Sequence, residues 1–225
     1  MDDPRFRSRT HVFMDRCEAG RLLATMIKGR LHENSMVLAI PSGGVPVGYC
    51  LADQLKLPLD IVVVRKIPVP GNPEAGFGAV ALDGTMVLNQ RLVDDLGLDQ
   101  GTISRLAASR LREIEARLRR FRGDKRPIDL TQKELVLVDD GLASGFTMLA
   151  AIRSIRKQCP RTVVVAVPTA HDEALRLVAS EADMVYCLNV RGGFLFAVAD
   201  AYVDWYDLDD REVQEYLQKA WAKSP

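Results

Sequence analysis

Short apolar runs alternate along this chain with stretches whose apolar positions recur at helical spacing. Ser35–Ile40, Leu59–Val64, Leu135–Val138, Thr162–Val167 and Met184–Leu188 read as strands. Apolar runs without polar alternation are expected of strands covered on both faces, as in a parallel sheet. Around Glu18–His32, Leu22, Leu23, Met26, Ile27 and Leu31 keep a helical period. Thr102–Arg122 is a long amphipathic helix with its stripe on Ile103, Leu106, Leu111, Ile114, Leu118 and Phe121, stopped by Gly123 and Pro127. Further helices are expected over about Val45–Gln54, Phe146–Gln158, Asp172–Ser180 and Asp210–Ala222. Strand and helix in alternation predict an α/β fold, a parallel sheet flanked by helices.

One stretch breaks the alternation. Arg65–Gly78 carries Pro68, Pro70, Gly71, Pro73, Gly76 and Gly78 and is expected to be a loop. After it, Gly78–Leu82 and Thr85–Asn89 flank Asp83-Gly84, a two-residue hairpin signal.

Composition narrows the classes. With 225 residues, 48% apolar and 27% charged, the chain has enough material for one large domain with a buried core. Lys plus Arg equals Asp plus Glu, 30 each, which removes the usual electrostatic footprint of a nucleic-acid binder. The basic stretch from Arg105 to Arg126 therefore reads as a solvated face or a subunit contact. No apolar run approaches a membrane span, and the charged start Met1–Arg7 does not read as a signal peptide, so a cytoplasmic location is expected. Cys17, Cys50, Cys159 and Cys187 have no metal-ligand spacing and are expected to be reduced, mostly buried thiols.

The sharpest chemistry lies in Leu135–Thr147, LVLVDDGLASGFT. An apolar strand ends in Asp139 and Asp140, small residues follow, and a helix opens. Ligands of open parallel sheets bind beyond the carboxyl ends of the strands. A small-residue loop at a helix N-terminus offers bare N–H groups to a phosphate, with the Ser144 and Thr147 hydroxyls beside them. Adjacent carboxylates do not suit the phosphate itself. They suit sugar hydroxyls, or a divalent cation held through water. The residues alone thus indicate a phosphorylated sugar.

This stretch resembles the 5-phosphoribosyl 1-pyrophosphate (PRPP) signature of the type I phosphoribosyltransferases: four apolar residues, two acids, three variable positions, then Thr or Ser, Gly, any residue, Thr. The resemblance implies a doubly wound, mostly parallel sheet flanked by helices in a single domain, with a core over about 18–190. It also implies a flap hairpin over about 65–90, and a small hood from the N-terminal segment and about 190–225. It implies transfer of the 5-phosphoribosyl group to a nitrogenous base with release of pyrophosphate. Asp139 and Asp140 are expected on the ribose hydroxyls, and Gly141, Ala143, Ser144, Gly145, Phe146 and Thr147 around the 5-phosphate. Ser42, Gly43 and Gly44 of the Pro41–Gly44 loop, with Arg65 and Lys66, are expected at the pyrophosphate, Lys66 in a catalytic role. In the family this loop often holds a non-proline cis peptide, here Pro41–Ser42 by position. Phe194 and Phe196 are expected at the base. Magnesium is expected to arrive with PRPP, without a dedicated protein ligand set, possible contact with Asp139 and Asp140 being through water. Family members are often dimers, and a homodimer is within expectation here.

Two departures stand out. Related loops commonly carry Arg or Lys where this chain has Ser42, which removes a cation from the leaving-group site. Ala143 stands where the 6-oxopurine enzymes carry an Asp, so hypoxanthine and guanine are disfavoured. The whole arrangement, including Phe13-x-Asp15-Arg16, most resembles stand-alone phosphoribosyltransferase-like proteins without an assigned role. Two other readings stay open: a PRPP- or nucleotide-binding regulatory protein of the same fold with little catalysis, and a phosphohydrolase or phosphotransferase using Asp139 as nucleophile.

Overall fold

A computed structural model describes residues 1–123, 125–193 and 195–223, with only the backbone at Glu74. Its central sheet is parallel and five-stranded, in the order β2-β1-β6-β7-β8. These strands are β1 (Ser35–Ala39), β2 (Leu59–Ile61), β6 (Glu134–Val138), β7 (Thr162–His171) and β8 (Met184–Arg191). Alternate residues of each strand enter different cores. Val37, Ala39, Val136, Val138, Val164 and Ala166 face α1 (Arg16–Ile27), α2 (Gly44–Leu55) and α7 (Asp210–Lys223). Met36, Leu38, Leu135, Leu137, Val163 and Val165 face α5 (Phe146–Arg156) and α6 (Asp172–Ala179). Both faces of the sheet are covered, which is why the apolar runs show no alternation.

Leu59–Val64 is not one strand. β2 ends at Ile61, and the chain leaves the sheet after the Val62 N–H bonds the Ala39 carbonyl. β3 (Val64–Val69) then opens a second, antiparallel sheet with β4 (Asn72–Ala81) and β5 (Met86–Leu88). The expected loop Arg65–Gly78 is therefore a β-ribbon. Its prolines sit where a ladder tolerates them: Pro68 at a register shift on the edge strand β3, and Pro73 where β4 has β3 as its one paired strand. Gly78 is required because a Cβ there would meet the Val87 carbonyl at 2.5 Å.

The Asp83-Gly84 turn forms as expected, and its carboxylate ties the ribbon to α5. Lys157 Nζ and Thr85 Oγ1 each lie 2.7 Å from Asp83 Oδ2. Partial burial alone would raise the Asp83 pKa, but hydrogen bonds from Lys157, Thr85 and Ser154 overcome it and hold the group at about 2. A carboxyl depressed from its ordinary 3.8 stabilises the fold above about pH 4 and loses that contribution as pH falls toward 2. Asp83→Asn is expected to cost about 1 kcal/mol at pH 7, a figure discounted for the exposure of this ion pair. The deficit should shrink by about pH 2.5, close to the folded-state value. Urea unfolding of both proteins at the two pH values checks this; an equal deficit at both would contradict it.

The long helix α4 (Gln100–Arg122) and the shorter α3 (Gln90–Asp95) follow the ribbon. α3 carries too few turns to show a period; the Asn89 side chain caps it by accepting from the Leu92 N–H. Part of the basic face of α4 is tied up in ion pairs. Arg110 and Arg65 meet Glu113, Arg117 and Arg120 meet Asp210, and Arg122 meets Asp60 at 2.8 Å with both side chains nine-tenths or more buried.

The cysteines depart from expectation. Cys17 on α1 and Cys50 on α2 form a disulfide, and Cys159 is exposed. Cys187 alone among the described residues is a buried free thiol, its pKa pushed up to about 12 by burial. The two helices approach so closely at Gly20 that a Cβ would collide with the Val47 carbonyl, and the Cα atoms of Cys17 and Cys50 come to 5.4 Å, a disulfide span.

Candidate active site

β6 and β1 end side by side, and their following loops meet. The Pro41–Ser42 peptide is cis. Gly44 starts α2, and a Cβ on it would meet the Val138 carbonyl at 2.6 Å and Asp139 Cα at 2.9 Å. A Cβ on Gly43 would collide with the Asp140 carboxylate. The two glycines thus let the backbone of the Pro41–Gly44 loop lie directly against both acids. No side chain could stand between them.

The acids are half-buried. Asp139 Oδ1 accepts the Asp140 N–H at 2.9 Å. Burial, then the neighbouring Asp140 carboxylate, raises the Asp139 pKa well above its ordinary value. Burial also raises that of Asp140, against the pull of Arg16. Arg16 was not singled out in the sequence as a site residue. Its side chain is 7% exposed, and its Nε donates to Asp140 Oδ2 at 2.9 Å. Its Nη1 donates to the Tyr206 carbonyl, and its guanidinium lies 3.8 Å from the Trp205 ring centroid. The buried Tyr202 hydroxyl donates to the Asp140 carbonyl at 2.7 Å, and burial keeps that hydroxyl protonated by raising its pKa.

The loop after the acids is bolted to β7. The Leu142 N–H bonds the Thr169 carbonyl and the His171 N–H bonds the Leu142 carbonyl, each at 2.9 Å. β7 runs past Val167 to His171 to provide that edge. Gly145, at φ 81°, turns the chain into α5. Among the described residues, the backbone N–H groups of residues 143–148 have no hydrogen-bond acceptor, and they gather at the start of α5. Ala143 and Ser144 are exposed, Thr147 is half-buried, and Phe146 packs into the α5 core and can offer only its backbone. Val198, in the 3₁₀ turn Val198–Ala201, stands over Gly141, where a Cβ would meet it at 2.6 Å.

The other expected residues fall around this centre. Arg65 turns toward Glu113 on α4, at 3.3 Å. Lys66 is exposed on β3, its side chain running along Gly76 of β4. Phe196 is half-buried, with the Arg191 guanidinium 4.4 Å from its centroid and the His171 ring edge-on at 5.5 Å. Phe194 lies outside the described residues. His171 ends β7 and caps α6, and its Nε2 lies 3.0 Å from the Gly193 carbonyl.

Ser42 does not stand without a cation. Arg117 of α4 places Nη2 2.7 Å from Ser42 Oγ. Among the described residues, no three His, Cys, Asp or Glu side chains gather as a metal cage. The donor set present, two carboxylates beside a helix start with free N–H groups, fits a hard cation met through water. No described helix is long and apolar enough to cross a membrane.

A family model described as "Phosphoribosyl transferase domain" matches residues 18–201. Two curated relatives from Mycobacterium tuberculosis (strains CDC 1551 / Oshkosh and ATCC 25618 / H37Rv) are each 39% identical over 93% of this chain and bear the name "Putative phosphoribosyl transferase". The chain spans about half, 47%, of the length of these relatives. Among solved structures, TT1426 from Thermus thermophilus superposes with a TM-score of 0.76 at 37% identity, covering 92% of this chain and 98% of that one.

Proposed function

This chain belongs to the phosphoribosyl transferase domain family, and from that premise we propose that it moves the 5-phosphoribosyl group of PRPP to a nitrogenous base other than a 6-oxopurine, releasing pyrophosphate. One observation carries the reading: the Gly43–Gly44 backbone lies against the Asp140 and Asp139 side chains, with the unpaired N–H groups of residues 143–148 beyond them. A ribose held on the acids would have its 5-phosphate on the helix start and its diphosphate on the glycine loop. That spacing suits a sugar phosphorylated at both ends.

The bond that breaks joins the anomeric carbon to the diphosphate oxygen, and its electron pair leaves with pyrophosphate. The bond that forms takes a lone pair from the base nitrogen, whose proton passes to solvent. Asp139 and Asp140 would hold the ribose hydroxyls and fix the ring. The amides of Ser42 and Gly43, with Lys66, would meet the developing negative charge; the Gly44 N–H, expected there too, is already committed to the Ile40 carbonyl at 3.0 Å. Asp139 and Asp140 would meet through water a magnesium ion brought in with PRPP, which would supply further neutralisation of that charge. The β3–β4 ribbon bearing Lys66 would exclude water, which could attack the same carbon. Ala143 supplies no side-chain base, so the acceptor nitrogen should already be weakly protonated or anionic. Phe196 would contact the ring of the base.

The test is pyrophosphate release from PRPP and magnesium with a panel of bases, matched to nucleotide formed. The expected result is release with a base lacking a 6-oxo group and none with hypoxanthine or guanine. Release only with a 6-oxopurine would overturn the acceptor class. PRPP binding without release by any base would overturn transfer and favour a regulatory protein that binds PRPP.

A further inference from the structure

We infer that Arg117, from the C-terminal part of α4, supplies the cation that the Pro41–Gly44 loop lacks, and that Arg117 and Ser42 together form the leaving-group clamp. This rests on the reading of the site given above.

Four observations converge. First, Arg117 Nη2 donates to Ser42 Oγ at 2.7 Å, across 75 residues of sequence. Ser42 adjoins Gly43, whose backbone touches the Asp140 carboxylate, so the guanidinium stands at the loop that faces the acids. Second, the side chain is held rather than waving in solvent. It is 14% exposed, its guanidinium lies 5.1 Å from the Phe121 ring centroid, and Nε and Nη2 both donate to Asp210 Oδ1. Third, the local charge does not cancel. Asp210 also pairs with Arg120, so two guanidiniums share one carboxylate and the cluster keeps a net positive charge. Fourth, Arg117 Nη1 makes no hydrogen bond among the described residues.

A strut between α4 and α7 would need only Arg117 and Asp210. The contact to Ser42 adds something a strut does not use. A serine hydroxyl accepts two hydrogen bonds and donates one. With the Arg117 N–H on its lone pair, the Ser42 proton is left to point at an acceptor. Ser42 O–H and Arg117 Nη1–H then present two donors to one anion, backed by the net positive charge of the Arg117–Arg120–Asp210 cluster, the role a loop Arg or Lys would fill alone. The natural occupant is a diphosphate, and a 5-phosphate at the α5 start would not feel this pair directly.

The experiment titrates wild type, Arg117→Gln, Arg120→Gln and Ser42→Arg/Arg117→Gln with magnesium pyrophosphate and, separately, with ribose 5-phosphate. Losing one charge-assisted contact should weaken pyrophosphate binding by about 30-fold in Arg117→Gln. Ribose 5-phosphate should change by less than about threefold in that variant. Arg120→Gln, which leaves the Arg117 and Ser42 donors in place but removes one charge from the shared carboxylate, should weaken pyrophosphate binding less than Arg117→Gln does and leave ribose 5-phosphate near wild type. Ser42→Arg/Arg117→Gln should regain most of the lost pyrophosphate affinity, a rescue that a structural strut would not produce. Equal loss of both ligands with a lowered melting temperature and no rescue would overturn the inference. So would wild-type pyrophosphate affinity in Arg117→Gln, while leaving the site reading intact. Should Arg117→Gln not fold, Arg117→Lys serves: it keeps the charge but not the planar fork, so pyrophosphate affinity should still fall by about tenfold with ribose 5-phosphate near wild type, and equal loss of both ligands would overturn the inference. If wild type binds neither ligand, both the inference and the site reading fall.

Discussion

Asp139→Asn/Asp140→Asn is expected to bind PRPP at least about a hundredfold more weakly than wild type at neutral pH, since hydrogen bonds to charged groups contribute about 1.5–3 kcal/mol each. The substitution is nearly isosteric, and an asparagine carbonyl at 140 can still accept from Arg16, so the fold should persist. The pH dependence adds a second signature. Burial and then Asp140 hold the Asp139 carboxyl well above its ordinary value. Ribose hydroxyls donate best to an ionised carboxylate. Wild-type affinity should therefore decline on acidification already above the ordinary carboxylate range, beyond any decline due to the ligand's own phosphates. The double variant should show only the ligand's part of that slope. Matching slopes, or unchanged affinity, would count against the two acids as the ribose clamp.

Arg16→Met should destabilise the protein by about 3–5 kcal/mol at pH 7, the range for breaking a buried ion pair from one side. Asp140 would keep its charge in a half-buried place without a counter-ion. The methionine also loses the donor to the Tyr206 carbonyl and the cation over Trp205. The sign with pH follows from Asp140. Its folded-state pKa is already raised by burial, against Arg16, so removing Arg16 raises it further. The uncompensated charge costs most above that pKa and disappears as pH falls below it. The deficit of Arg16→Met should thus narrow from about pH 7 to about pH 4. Adding Asp140→Asn should recover part of the loss, which a double-mutant cycle measures as coupling. A pH-independent deficit below about 1 kcal/mol would show that Arg16 is not the counter-ion of the site.

How much of this was legible in the chain depends on range. Leu135–Val138 reads as a central strand because both its faces are buried, and the acids that follow read as a site because their neighbours are consecutive. The Arg65–Gly78 ribbon does not read as strand. Prolines at a bulge and on singly paired segments look the same in sequence as prolines in a loop. The break within Leu59–Val64 leaves no trace, because Val62 and Val63 are as apolar as the residues on either side. The disulfide joins cysteines 33 positions apart whose pairing depends on the packing at Gly20. Arg16 and Arg117 reach the site across 124 and 75 residues. Ser42 signalled a missing cation, but no local pattern could say that α4 would bring one.

Calorimetric titration of the wild-type protein with PRPP and magnesium, followed by displacement with ribose 5-phosphate and with pyrophosphate separately, bears most directly on the central claim. The account predicts one PRPP per chain and partial displacement by either fragment, because the two ends of the ligand rest on different loops. A protein that takes up no PRPP, or whose PRPP is displaced by neither fragment, would contradict it.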